Sequence, residues 1–240
     1  MWPAPSLNRA TSVEETPTRP SQRSSGKTRV VIVDDHPIVR QGLAELINCQ
    51  DDMEHCGGAA DCDEAVAVIE RSQPDVVIVD ISLRESNGID LVKTLHATMP
   101  KLTILVLSMH DEAFYVERVL HAGARGYITK DEASDTVITA IRKVLDGQIY
   151  VSQQMASKVL SRFLSNGKAS NPEDRLTNRE LQVFELLGQG RPTREVAKEL
   201  GVAIKTVESH RENIKRKLEI SNASELVQKA IHWVQSTKGV

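Results

Sequence analysis

Four short runs of Val, Ile and Leu, each delivering a polar or charged residue at its end, constrain this 240-residue chain more than anything else in it. Val76-Val77-Ile78-Val79 follows Pro74-Asp75 and ends on Asp80; Val30-Val31-Ile32-Val33 ends on Asp34-Asp35. Leu102 to Leu107 ends on Ser108, and Gly126-Tyr127-Ile128-Thr129 delivers Lys130. Runs of this composition, bounded by turn residues, read as buried strands of a parallel sheet. Ligands of open α/β sheets bind outside the carboxyl ends of the strands. Asp34, Asp35, Asp80, Ser108 and Lys130 are therefore expected at one edge of one sheet. Met53 to Ala60 is a weaker strand candidate.

The stretches between the runs carry helical spacing. Pro37 to Asn48 places Ile38, Leu43, Leu46 and Ile47 on one face, with Pro in the first turn. Asp61 to Arg71 opens with the capping-box spacing of Asp61 and Glu64. Gly88 to Met99, Asp111 to Ala122 and Ala133 to Asp146 complete the set, stopped by Pro100, Gly123 and Gly147. Five βα units follow, most simply a doubly wound α/β sheet with helices on both faces over residues 28–147.

Residues 1–27 are rich in Pro, Ser, Thr and Arg without apolar periodicity, and are expected to be a disordered tail. Residues 148–172 read as a linker. Val151, Met155, Val159, Leu160, Phe163 and Leu164 sit at helical spacing in its first part, and a hinge runs from Ser165 to Pro172. Residues 173–240 read as all helical. Thr177 and Glu180 form a capping box for a helix to about Leu187, closed by Gly188 and Gly190. A short helix Thr193–Leu200, a turn at Gly201, a helix from Ile204 to Leu218 and a last one capped by Asn222 and Glu225 make a helix-turn-helix pattern.

Charge divides along the same line. Residues 1–172 carry 18 Lys and Arg against 23 Asp and Glu, net −5, while residues 173–240 carry 12 against 10, net +2. An acidic front and a basic back fit a regulator joined to a nucleic-acid binder. No apolar run approaches the roughly 20 residues of a membrane span, and the N-terminus lacks the apolar core of a signal peptide. The chain is expected in the cytoplasm, without membrane contact. Cys49, Cys56 and Cys62 match no metal-binding spacing and are expected to be ordinary thiols.

A carboxylate can act as nucleophile toward a phosphoryl group. Transfer then requires positive charge around the phosphoryl oxygens. Asp34 and Asp35 would repel Asp80 unless a divalent cation sat among them, and Mg²⁺ suits such oxygen ligands. Lys130 could neutralise one phosphoryl oxygen, and the Ser108 hydroxyl could donate to another.

Val33-Asp34-Asp35-His36, Asp80, Asn87-Gly88, Leu107-Ser108 and Gly123 to Lys130 together resemble the receiver domain of two-component response regulators, over residues 29–147. The resemblance implies a flavodoxin-like receiver whose Asp80 accepts a phosphoryl group from the phosphohistidine of a sensor histidine kinase. It implies Mg²⁺ held by Asp35 and Asp80, by Asp34 through water and by the Ser82 carbonyl, with Ser108 and Tyr127 as a switch pair. Where the family often has Met-Pro-Gly after the acceptor, this chain has Leu83-Arg84-Glu85, a more charged loop that could alter phosphoryl lifetime.

Arg175 to Glu180, Gly190 to Ala197, Leu200-Gly201-Val202, Lys205 to His210 and Asn213 to Leu218 resemble the LuxR/NarL-type helix-turn-helix over about residues 174–236. Lys205, Thr206, His210, Arg211, Lys215 and Lys217 lie along or beside one helix, where they could meet phosphates. Glu208, Ser209 and Glu212 map onto the groove-facing positions of the family's recognition helix. Ala203 stands where the family usually has a Ser N-cap, and Arg191-Pro192-Thr193-Arg194 replaces the common Ser-Asn-Lys. Leu181, Val183, Leu186, Val196, Leu200, Val207, Ile214 and Leu218 read as core.

The expectation is a phosphorylation-switched, DNA-binding transcription regulator, not an enzyme, dimeric when phosphorylated so as to match paired half-sites. Two alternatives stay open. An Asp-nucleophile phosphatase needs a second acid two residues past the nucleophile, where this chain has Ser82. A receiver gated by a protein partner instead of phosphate has only Arg84 in its favour.

Overall fold

The computed structural model describes residues 26–83, 86–109, 113–165 and 172–238. Residues 1–25 of the expected tail, Arg84 and Glu85, the first two residues of the helix expected from Asp111, and residues 166–171 of the expected hinge lie outside that set.

Five strands form one parallel sheet in the order β2-β1-β3-β4-β5: β1 Thr28–Val33, β2 Met53–Ala59, β3 Val76–Asp80, β4 Thr103–Ser108 and β5 Gly126–Thr129. Side chains alternate across the sheet. Val31, Val33, Val77, Val79, Ile104 and Val106 face α2 (Cys62–Ser72), α3 (Gly88–Thr98) and α4 (Ala113–His121). Val30, Ile32, Val76, Ile78, Leu105 and Leu107 face α1 (Pro37–Asn48) and α5 (Ala133–Leu145). A strand covered on both faces buries every side chain, each contributing about 1.5–3 kcal/mol, so the runs are apolar throughout instead of alternating.

β2 is the least regular strand. Its register against β1 slips between Val30 and Val31, leaving Cys56 unopposed, and a Cβ at Gly57 would lie 2.7 Å from Val68 Cγ1. Close packing on α2 demands glycine there, which explains the weak strand signal. On the opposite edge, Tyr127 N–H donates to Tyr150 O at 2.8 Å and Tyr150 N–H to Arg125 O at 3.0 Å. The start of the linker thus covers the β5 edge, and α6 (Gln153–Ser165) follows, with Met155 buried in the α4-side core.

A 3₁₀ turn (Pro172–Arg175) leads into α7 (Asn178–Gly188), α8 (Thr193–Glu199), α9 (Ile204–Lys217) and α10 (Ala223–Lys238). The Thr177–Glu180 capping box is present in both directions. Gly188 is the last residue of α7, where a Cβ would sit 2.4 Å from Ala230 O, so glycine also serves the contact with α10; Gly190, with φ of +83°, follows the C-cap Gln189. Leu181, Val183, Phe184, Val196, Val207, Ile214, Leu226 and Ala230 form the bundle core, continuous with the α4 side of the sheet through Phe114 and Trp233. Among the described residues no helix is long and apolar enough to cross a membrane.

Candidate functional site

The carboxyl ends of β1, β3, β4 and β5 bring the expected residues together. Asp34 and Asp80 are 1% exposed and Ser108 is fully buried. Lys130 Nζ bridges the acids, 2.7 Å from Asp34 Oδ2 and 2.8 Å from Asp80 Oδ2. Its own N–H donates to Ser108 O at 2.7 Å, tying the β5 end to the β4 end. Asp80 Oδ1 accepts from Ser82 N–H at 3.2 Å. Tyr127 is buried inside β5.

Two backbone devices hold this edge. The Asn87 side chain caps α3 by accepting from Ile89 N–H, and Gly88 N–H donates to Ile81 O. A Cβ on Gly88 would lie 1.9 Å from Asp80 O, so only glycine lets the loop close on the acceptor strand. At β1, His36 N–H donates to Asp34 Oδ1 at 2.8 Å, and the Arg40 guanidinium donates to Asp34 O.

Charge at the site is unbalanced, with three carboxylates facing one ammonium. Burial pushes the Asp80 carboxyl above the ordinary carboxylate range, opposed by Lys130 and reinforced by Asp34. Burial works against the Lys130 charge, but Asp80 and Asp34 outweigh it and the ammonium is held more tightly than usual. Single donor atoms of Asp34, Asp35, His36 and Asp80 lie within 4.8 Å of one another. A negative, oxygen-rich pocket of this size fits a hard divalent cation. His36 joins the acids here, a neighbour that the sequence signals only by its place directly after the acid pair.

On α9, Lys205, Thr206, Glu208, Ser209 and Glu212 are exposed along one face. The Ser209 hydroxyl donates to Lys205 O, and Lys215 pairs with Glu212 at 2.9 Å. His210 is half-buried, and burial lowers its pKa, which keeps the imidazole neutral. Lys217 lies 2.6 Å from the buried Glu180 carboxylate, which also accepts from Thr177 N–H. Arg211 donates to Thr193 Oγ1 and joins α9 to α8.

The two domains are docked through α4. Tyr115 OH donates to Glu185 Oε2 at 2.7 Å, with both residues no more than 2% exposed. Arg118, stacked over Phe114, donates to Asn178 Oδ1 and Leu176 O, and Asn178 Nδ2 donates to Asp90 Oδ1. Trp233 of α10 meets Phe114 edge-on at 6.2 Å. Arg118 also donates to Glu173 O at 3.3 Å, so these contacts fall on the 3₁₀ turn, α7 and α10, while the outward face of α9 stays open.

Residues 30–142 match the response regulator receiver domain, and residues 174–230 match the bacterial regulatory proteins of the luxR family. This chain is a LuxR-type response regulator. The oxygen regulatory protein NreC of Staphylococcus carnosus (strain TM300) is 35% identical to the regulator over 209 residues, 85% of this chain and 96% of its relative. A solved RcsB response regulator of Salmonella typhimurium is 25% identical with a TM-score of 0.61, covering 86% of this chain and 98% of that one. RcsB from Salmonella enterica serovar Typhimurium bound to promoter rprA in the presence of phosphomimetic BeF3⁻ is 25% identical with a TM-score of 0.57, covering 90% and 100%. The regulator therefore belongs with phosphorylation-dependent, DNA-binding transcription regulators and not with typical enzymes.

Proposed function

We propose that Asp80 is the phospho-acceptor of this regulator, and that its phosphorylation acts through α4 on the DNA-binding domain. The observation that carries the proposal is the Lys130 ammonium lying 2.7 and 2.8 Å from the Asp34 and Asp80 carboxylates, beside the buried end of β4. One Asp80 oxygen attacks the phosphorus of a kinase phosphohistidine. The P–N bond breaks, and the imidazole leaves with the electron pair and takes up a proton. Lys130 exchanges a carboxylate oxygen for a phosphoryl oxygen, and the Ser108 hydroxyl turns to donate to another.

Asp34, Asp35, Asp80 and the Ser82 carbonyl would hold Mg²⁺, which when bound offsets charge on the phosphoryl oxygens. Ser108 is the last residue of β4, so its movement pulls on the segment that enters α4. α4 carries Tyr115 and Arg118, the groups bound to α7 and the 3₁₀ turn. Tyr127 completes the switch pair from inside β5.

Residues 28–147 act as the receiver, 148–172 as the linker and 173–240 as the DNA reader, in a cytoplasmic protein that pairs on DNA when phosphorylated. Lys205, Thr206, His210, Lys215 and Lys217 serve the backbone, with Lys217 giving up Glu180 to do so. Glu208, Ser209 and Glu212 face the bases.

Incubation with Mg²⁺ and acetyl phosphate tests the acceptor. Intact mass should show one added phosphoryl group in the wild type and none in Asp80→Asn. An adduct that survives the substitution, or none in the wild type, contradicts it.

A further inference from the structure

His36 occupies a place that its role as a helix-start residue does not require. Its side chain offers no cap to α1, and the imidazole, 60% exposed, leans over the acidic pocket. Nδ1 stands 2.8 Å from Asp35 Oδ1 and 3.2 Å from Asp34 Oδ1. The backbone fixes this placement: His36 N–H donates to the same Asp34 Oδ1, and the following Pro37 restricts His36 to its extended conformation.

The separations are those of neighbouring ligands on one ion. With bonds of about 2.1 Å, adjacent positions of an octahedral shell lie about 3.0 Å apart and opposite ones about 4.2 Å. The Nδ1 separations, also those of hydrogen bonds to the two carboxylates, bracket the first figure, and the four donor atoms, within 4.8 Å of one another, would draw in by a few tenths of an ångström to share one ion. Asp34 also divides its two oxygens, Oδ1 toward His36 and Oδ2 toward Lys130. A cation held on the Oδ1 side leaves the Lys130 pairing in place.

From this geometry we infer that His36 is a fourth side-chain ligand of the pocket, giving it a preference for imidazole-binding divalent ions such as Co²⁺ over Mg²⁺. Mg²⁺ gains little from a nitrogen ligand, whereas first-row transition ions gain more. The inference rests on the metal pocket proposed above and adds to it a ligand and a selectivity.

The test uses the full chain, with Co²⁺ and Mg²⁺ affinities measured by calorimetry and nitrogen coupling to bound Mn²⁺ read by pulsed electron paramagnetic resonance. His36→Gln and Asp35→Asn are the variants, and the exposure of His36 makes its replacement compatible with folding. The expected result is imidazole nitrogen coupling in the wild type that disappears in His36→Gln, a roughly tenfold loss of Co²⁺ affinity in that variant, and a much smaller change for Mg²⁺. Binding that depends on Asp35 but shows no nitrogen coupling, or coupling that persists in His36→Gln, overturns the His36 assignment and leaves the metal pocket standing. Binding indifferent to Asp35→Asn overturns both.

Discussion

Asp80 carries an energetic burden that its chemistry needs. Burial and the neighbouring Asp34 hold its carboxyl above the ordinary range, so the folded chain binds that proton more tightly than the unfolded chain does. Its contribution favours folding below the ordinary carboxylate pKa and is lost as pH rises through the raised value. Asp80→Asn removes this loss. In the presence of a chelator, and with Lys130 still paired to Asp34, the variant should be more stable than the wild type near pH 7.5. The advantage should shrink toward pH 4.5. Urea unfolding across that range checks it, and a variant less stable at pH 7.5 contradicts it. As the proposed nucleophile, a carboxylate with only Lys130 to balance it and Asp34 gains by meeting a cation and a phosphoryl group together.

At the scale of the element, helix starts are where sequence and structure correspond best. Asp61, Asn87, Thr177 and Asn222 each accept from a backbone N–H in the first turn of the helix that follows. α9 starts without such a cap, as α1, α5 and α8 do: Ala203 has the extended backbone of an N-cap, φ −68° and ψ 148°, and no side-chain acceptor. Ala203→Ser should raise the stability of the DNA-binding domain by about 1 kcal/mol, read as a higher urea midpoint for α9–α10 unfolding. No gain would mean that neighbouring groups already meet those N–H donors. The four apolar runs and their terminal residues were legible because a strand buried on both faces must be apolar throughout. β2 was faint, since its Gly57 answers to a neighbour, Val68, that no local pattern reveals. Gly188 does end α7, but its closeness to Ala230 was hidden for the same reason: that residue lies in another helix.

The whole molecule adds what local pattern could not supply, the docking of two domains through pairs far apart in the chain. Tyr115 and Glu185 are separated by 70 positions and Asp90 and Asn178 by 88, so nothing near any of them announces the contact. The docked arrangement leaves the outward face of α9 open, so the switch has no need to uncover the reading helix. Its task is to set how two such domains are presented. Tyr115→Phe leaves the buried Glu185 carboxylate short of a donor, at a cost of about 1–3 kcal/mol, and should loosen the dock. In a Trp2→Phe background Trp233 alone reports, and its emission should shift to the red as it leaves Phe114; unchanged emission would show that Tyr115 does not hold the domains together.

The central claim is that a phosphoryl group on Asp80 changes how the regulator holds DNA. The most direct measurement is DNA affinity by fluorescence anisotropy, on duplexes selected from a random pool by residues 173–240, with and without Mg²⁺ and acetyl phosphate. Wild type should bind more tightly and with steeper concentration dependence once phosphorylated, while Asp80→Asn stays at the unphosphorylated level. Equal affinity in all four conditions, with the phosphoryl adduct confirmed by mass, would contradict the claim.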